Sequence, residues 1–191
     1  MCFWKNIIVA ISLGSSALAF SAEESFPDES VFHLTGSWQN ADGQKLTLSS
    51  LSGKTLVVAM IYTSCQFSCP LIVQEMERVR IQVKDAPADA VRYVLISMDP
   101  VRDTPTVLQT FAKKRKLDPL QWLLLTASTE DQIREFSTVI GVSYKKAGED
   151  FAHSNLITVI DRDGVIRFSK PTLGQQVVET AQAVVRSIKP K

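Results

Sequence analysis

The chain has 191 residues, 45% of them apolar and 21% charged, with 21 Lys and Arg against 20 Asp and Glu. That length holds one ordinary domain plus a short leader, and the composition excludes a wholly disordered or collagen-like chain. A formal charge of +1 supplies no electrostatic footprint for nucleic acid. With no long apolar run beyond the N-terminus, a polytopic membrane protein is excluded too.

Residues 1–22 have the layout of an export signal. Lys5 is the only charge before Glu23, Ile7 to Leu13 form an apolar core, and Ala17-Leu18-Ala19 is a small-x-small cleavage site. The alternative is an uncleaved anchor, since residues 6–22 are uncharged and reach the short limit of a membrane span; Gly14 and the serines favour cleavage. On either reading the domain lies outside the cytoplasm: periplasmic in a bacterium, free or tethered to the inner membrane. Residues 23–30 are polar with a proline and read as a linker, leaving 31–191 as the domain. Of the 3 cysteines, Cys2 belongs to the leader, so Cys65 and Cys69 are the thiols of the exported domain.

Val31–Gln39 and Lys45–Leu48 are expected as short strands of an N-terminal β-hairpin, with Asp42-Gly43 in its turn. The run from Thr55 to Tyr62 is apolar on both faces, as a strand covered by helices on both sides is. Pro70 suits the first turn of a helix reaching Lys84, with Leu71, Ile72, Met76, Val79 and Val83 as its buried stripe. A second buried strand, Val91–Ser97, leads through Met98-Asp99-Pro100-Val101-Arg102-Asp103 to a helix opened by Thr104-Pro105. Trp122–Thr126 is a third strand, and Thr129-Glu130-Asp131-Gln132 a capping box for a helix ending near Gly141. Leu156–Asp161 and Val165–Phe168 flank Asp163-Gly164 as a hairpin, and Gln175–Ile188 closes the chain as a helix. Strands alternating with helices, then a hairpin, predict an α/β, thioredoxin-like sandwich: a central mixed, mainly parallel sheet flanked by helices. The cysteines fall between the first central strand and its helix, at the strand ends where such folds bind ligands.

Both thiols lie near a helix N-terminus, which favours thiolate, and thiolate is at once a redox nucleophile and a soft-metal ligand. A purely structural disulfide is a poor account, because closing so short a loop removes little unfolded-state entropy. Two positions four apart also bridge badly on a regular helix. A second reading is thiol–disulfide oxidoreductase, with Cys65 attacking and Cys69 resolving. Against it, the spacing exceeds the usual redox pair by one residue. The segment before Leu156 also carries Phe151-Ala152-His153-Ser154-Asn155 where a thioredoxin site presents a cis-proline. A peroxidase ranks last, since Thr63-Ser64-Cys65 lacks the wider proline-containing motif. The reading favoured by the imidazole is copper, Cu(I) or Cu(II), on the sulfurs of Cys65 and Cys69 and the ring nitrogen of His153. Three ligands leave the ion open on one side, as a donor protein needs, and folding must bring the remote His153 to the thiols. His33, with no partner in the sequence, is taken as structural.

Three stretches now carry a resemblance: Tyr62-Thr63-Ser64-Cys65 through Cys69-Pro70, Ser97-Met98-Asp99-Pro100-Val101-Arg102-Asp103-Thr104-Pro105, and His153-Ser154 before a strand. Over residues 31–188 the chain resembles the Sco/SenC family of copper chaperones for cytochrome c oxidase assembly. The resemblance implies a thioredoxin-like fold, copper on two Cys and one His, and an exported or membrane-anchored protein. Its partner would be cytochrome c oxidase subunit II or another copper acceptor, to which it delivers copper or whose thiols it reduces. That makes the chain a carrier rather than an enzyme, unless its own cysteines cycle as an oxidoreductase. Between the cysteines it departs from the family's frequent Pro-Asp-Val with Gln66-Phe67-Ser68, which removes an acidic group and a rigid turn. Asp103 or Thr104 is expected to cap the following helix and Arg102 to pair locally, with Asp99 placed to tune the metal site from outside the ligands. Met60, Met76 and Met98 read as core filling.

Overall fold

The computed structural model describes residues 25–148, 150–171 and 177–188; the leader, with Cys2 and Lys5, lies outside the described residues. Strands β1 (Trp38–Asn40), β2 (Lys45–Leu46), β3 (Thr55–Ile61), β4 (Val91–Ser97), β5 (Trp122–Ala127), β8 (Leu156–Ile160) and β9 (Ile166–Pro171) build one sheet in the order β2-β1-β5-β4-β3-β8-β9. Helix α1 (Ser68–Gln82) joins β3 to β4, α2 (Pro105–Lys114) joins β4 to β5, and α3 (Glu130–Val139) and α4 (Val177–Ile188) follow β5 and β9. Strands β3, β4 and β5 pair in parallel, while β1 and β8 run against their neighbours, so five of the seven strands point one way. This is the thioredoxin-like sandwich the element order led us to expect. Every residue of β3 and β5 is buried, so both faces of the central sheet are covered.

The N-terminal expectation needs correction. Val31–His33 is a 3-10 turn, not strand. Ser30 accepts the Phe32 N–H at 3.1 Å and donates its hydroxyl to the Asp163 carbonyl at 2.6 Å, and the Val31 N–H bonds Gly164. These contacts seat the turn on the β8–β9 corner and leave only Trp38–Asn40 to pair with Lys45–Leu46 and β5. Leu48, expected at the end of the second strand, begins a second 3-10 turn. The segment read as a linker docks in part: Phe26 meets Phe32 edge-on at 5.1 Å, and His33 bonds the Pro27 carbonyl at 2.9 Å.

In α1 the buried stripe is Cys69, Ile72, Val73, Met76 and Val79, continued by Val83 just past its end. Leu71 does not belong to it and is half exposed. One residue is a rotation of about 100° on a helix, which carries Leu71 past the edge of the face that Ile72 centres. Met60, Met76 and Met98 are core residues. Thr129 caps α3 as its motif predicts, accepting the Gln132 N–H at 3.2 Å, although Gln132 returns its bond to Ser128 rather than to Thr129.

A second, two-stranded sheet pairs β6 (Tyr144–Ala147) with β7 (Asp150–His153). The sequence pattern predicts no strand here. Tyr144 lies opposite His153, and Ser143 and Ser154 close the base through the Ser154 N–H to Ser143 carbonyl bond at 2.9 Å.

Candidate metal centre

Topology brings three segments to one end of the sheet. Because β3 and β4 are parallel and in register at Ile61 and Ser97, the loops leaving them emerge side by side, joined by the Met98 N–H to Ile61 carbonyl bond of 2.8 Å. Strand β8 runs antiparallel to β3, so its beginning, reached through His153, lies at that same end.

The first loop carries the thiols. The helix begins only at Ser68, and Cys65 sits before it in a turn closed by its own N–H on the Tyr62 carbonyl at 3.2 Å. That irregular turn overcomes the poor spacing of two cysteines four apart. The Cys69 N–H reaches the Cys65 sulfur at 3.4 Å and the Ser68 hydroxyl lies 3.3 Å from it; both cysteines are free thiols. Burial pushes the Cys65 thiol up, but the Ser68 hydroxyl, the main-chain N–H groups of Cys69 and Phe67 and the Cys69 thiol outweigh it and bring Cys65 down to about 7. Cys69 is fully buried and is pushed up to about 12 by that burial. One sulfur is therefore a ready thiolate and the other a reserve thiol beside it.

His153 comes to the second side of this loop. Its ring stands edge-on to Tyr62 at 5.9 Å between centroids, and Tyr62 packs on Phe151 at 5.3 Å. The Tyr62 hydroxyl faces Cys65; burial first, then that thiol, push it up to about 12. His153 Nδ1 lies 3.3 Å from the Ser154 carbonyl, while Nε2 is buried with no hydrogen-bond partner. Burial holds the imidazole below its ordinary range, against the pull of the Ser154 carbonyl. A neutral ring donating from Nδ1 keeps its lone pair on Nε2, the form a metal takes. The structure thus gathers Cys65 and Cys69 into contact and sets His153 one aromatic ring away. Among the described residues, no three His, Cys, Asp or Glu side chains stand close enough to hold a metal ion together.

The second loop holds the first in place through Asp103, one of the two residues expected to cap α2. Thr104 takes the cap position of α2 without a side-chain bond, and Asp103 does not serve as the cap. Its buried carboxylate instead accepts the Thr63 N–H at 3.0 Å, the Thr63 hydroxyl and the Ser97 hydroxyl at 2.6 Å. Burial raises the Asp103 carboxyl, with the Ser97 and Thr63 bonds opposing. The partner lies 40 residues away, so no local pattern announces it. Arg102 pairs with Asp99, as expected, and its guanidinium stands 5.9 Å from the Phe151 ring centroid.

The SCO1/SenC family profile matches residues 28–188. The chain belongs to the SCO1/SenC family. Among its SCO1/SenC relatives is the SCO1 protein homolog of Bacillus subtilis, 30% identical over 132 residues and covering 68% of each chain. Of solved structures, ScoI of Bradyrhizobium japonicum with copper bound is 28% identical with a TM-score of 0.65, over 80% of this chain and 96% of that one. BsSco, a member of the Sco family of cytochrome c oxidase assembly proteins in which a disulfide switch was identified, is 25% identical. Its TM-score is 0.72, over 81% of this chain and 92% of that one.

Proposed function

We propose that this SCO1/SenC chain carries copper outside the cytoplasm and passes it to the copper centre of cytochrome c oxidase subunit II or a similar acceptor. Cys65, Cys69 and His153 hold the ion. The observation that carries the reading is the buried, unpartnered Nε2 of His153, lodged against the tyrosine that also faces Cys65. A buried polar nitrogen without a partner costs free energy, and a metal ion on it removes that cost. Two thiolates select Cu(I), and the imidazole adds a ligand suited to Cu(II). The export-like leader supports the periplasmic location, and the copper-bound relative supports the cargo. The test is a Cu(I) titration of the reduced protein against a competing chelator. One equivalent should bind tightly, with a clear loss of affinity in His153→Ala; an unchanged affinity would refute the three-ligand reading.

A second reading draws on two free thiols in contact, one of them fully buried. The Cys65 thiolate attacks a partner disulfide, forming a mixed disulfide and releasing one partner thiolate. Cys69 then gives up its proton and attacks the Cys65 sulfur, releasing the second partner thiolate. The partner gains two electrons and the Cys65–Cys69 pair is left oxidised. Reduction of a mixed disulfide that survives His153→Ala but not Cys65→Ser marks this activity.

A further inference from the structure

The imidazole assigned to the ion sits on a hairpin that shares no ladder with the seven-stranded sheet, so its place beside Tyr62 depends on side chains. Along the hairpin runs an open cleft of about 730 Å³, lined by the loop from Met98 to Arg102, by α3 and by Tyr144, Lys145 and Lys146. Phe151 also lines it. That residue stands two before His153, and the alternation along β7 puts both half-buried side chains on one face, between exposed Asp150 and Ala152. One neighbour of the Phe151 ring is Tyr62, at 5.3 Å between centroids. Another is the Arg102 guanidinium, whose Cζ stands 5.9 Å from the ring centroid. Arg102 is itself aimed. Its Nε donates to one oxygen of the Asp99 carboxylate, and its main-chain N–H donates to the other at 3.3 Å. Asp99 is buried just past the end of β4, and its own N–H donates to the Ser97 hydroxyl at 3.0 Å. An arginine already oriented by a buried carboxylate loses less freedom when it settles on an aromatic ring.

We infer that Arg102, oriented by Asp99, is a positioning residue: it grips Phe151 and so fixes the strand face from which His153 presents its ring to the thiol loop. The inference rests on the carrier reading above, and Arg102 acts on the ion only through Phe151 and His153. A ligand already held in place binds more tightly than one that must be ordered as the ion arrives, because apparent affinity scales with the fraction of molecules in the competent arrangement.

The test uses Arg102→Gln, which keeps a hydrogen-bond donor for Asp99 and removes the cation. In the metal-free protein, amide exchange in β7 should quicken about fivefold, the scale of one partly exposed cation–π contact, with β3 and β4 unchanged. Cu(I) affinity, read against a competing chelator, should fall by a similar factor. Combined with His153→Ala, the change should lower affinity no further than His153→Ala does alone, and it should add nothing to the exchange rate of Phe151→Leu. Asp99→Asn, which keeps the shape of the anchor and removes its charge, should move both readings the same way by a smaller factor. Wild-type exchange in β7 would overturn the inference. So would an equal loss of affinity with and without His153, or a full further effect on top of Phe151→Leu. An unchanged Cu(I) affinity in His153→Ala would instead sink the three-ligand reading and leave Arg102 no ligand to place. Faster β7 exchange in the metal-free Arg102→Gln protein would then mark a purely structural contact.

Discussion

Replacing Asp103 by alanine tests how the cysteine loop is held. The carboxylate is 1% exposed and receives three donors: the Thr63 N–H at 3.0 Å, the Thr63 hydroxyl, and the Ser97 hydroxyl at 2.6 Å. Alanine strands all three, and each buried donor left without an acceptor costs about 1–3 kcal/mol. Thr63 is only half-buried and both hydroxyls can rotate toward other partners. Relief from burying a charge offsets part of the loss as well, so the expected destabilisation is about 3 kcal/mol. A domain stable by about 5–15 kcal/mol survives that and can be measured. In urea unfolding of the reduced, metal-free protein the midpoint should fall with an unchanged slope. Thr63→Val, which removes one of the same bonds, should be non-additive with Asp103→Ala by about 0.5–1 kcal/mol. Burial raises the folded carboxyl above its ordinary 3.8. The folded state therefore holds this proton more tightly than the unfolded chain does. Its contribution is full below that ordinary value and declines as pH rises through the raised one; Asp103→Asn should flatten the decline. A loss below about 1 kcal/mol in Asp103→Ala, or strict additivity with Thr63→Val, would refute the pin.

Two further outcomes follow from the site. Alkylation of the reduced, metal-free protein should rise at Cys65 with a half-maximum near pH 7 while Cys69, pushed up to about 12, stays unmodified until the protein unfolds. Ser68→Ala should move the Cys65 midpoint upward, and Cys69 reacting first would contradict the assignment. Phe151 packs at a tilt against Tyr62 at 5.3 Å and Tyr144 at 6.2 Å between ring centroids. Losing two such pairs in Phe151→Ala, at about 0.5–1.5 kcal/mol each, should speed amide exchange in β6 and β7 by about tenfold or more without touching β3 and β4. Equal acceleration throughout the sheet would show that the hairpin is not a separate unit.

The central strands were legible because burial on both faces leaves an unbroken apolar run: Val91–Ser97 matches the structure residue for residue, and the Thr55 run ends one position from its expected close. Helix starts were legible where chemistry marks them, at Pro70 and at Thr129. The β6–β7 hairpin was not, since its Lys145 and Lys146 face solvent and each strand has four residues. A weak signal existed: Phe151 and His153 are half-buried between exposed Asp150 and Ala152, an alternation of period two, with Gly148 at φ +65° in the turn. Val31–His33 failed for the opposite reason, because contacts with Gly164 and Asp163 at the far end of the chain override local strand preference. The cysteines and His153 could be named from residue type and motif. Their spatial relation, and the service of Asp103 to Thr63, depend on contacts between residues far apart in the chain.

Cysteines and histidine belong to parts of the fold with unequal tolerance for change. The sulfurs sit between β3, buried along its whole length, and the buried face of α1, where substitutions disturb the packed interior. The imidazole rides on a two-stranded sheet separate from the seven-stranded one. Substitutions in the hairpin can therefore reposition the ring while the scaffold beneath continues to fold.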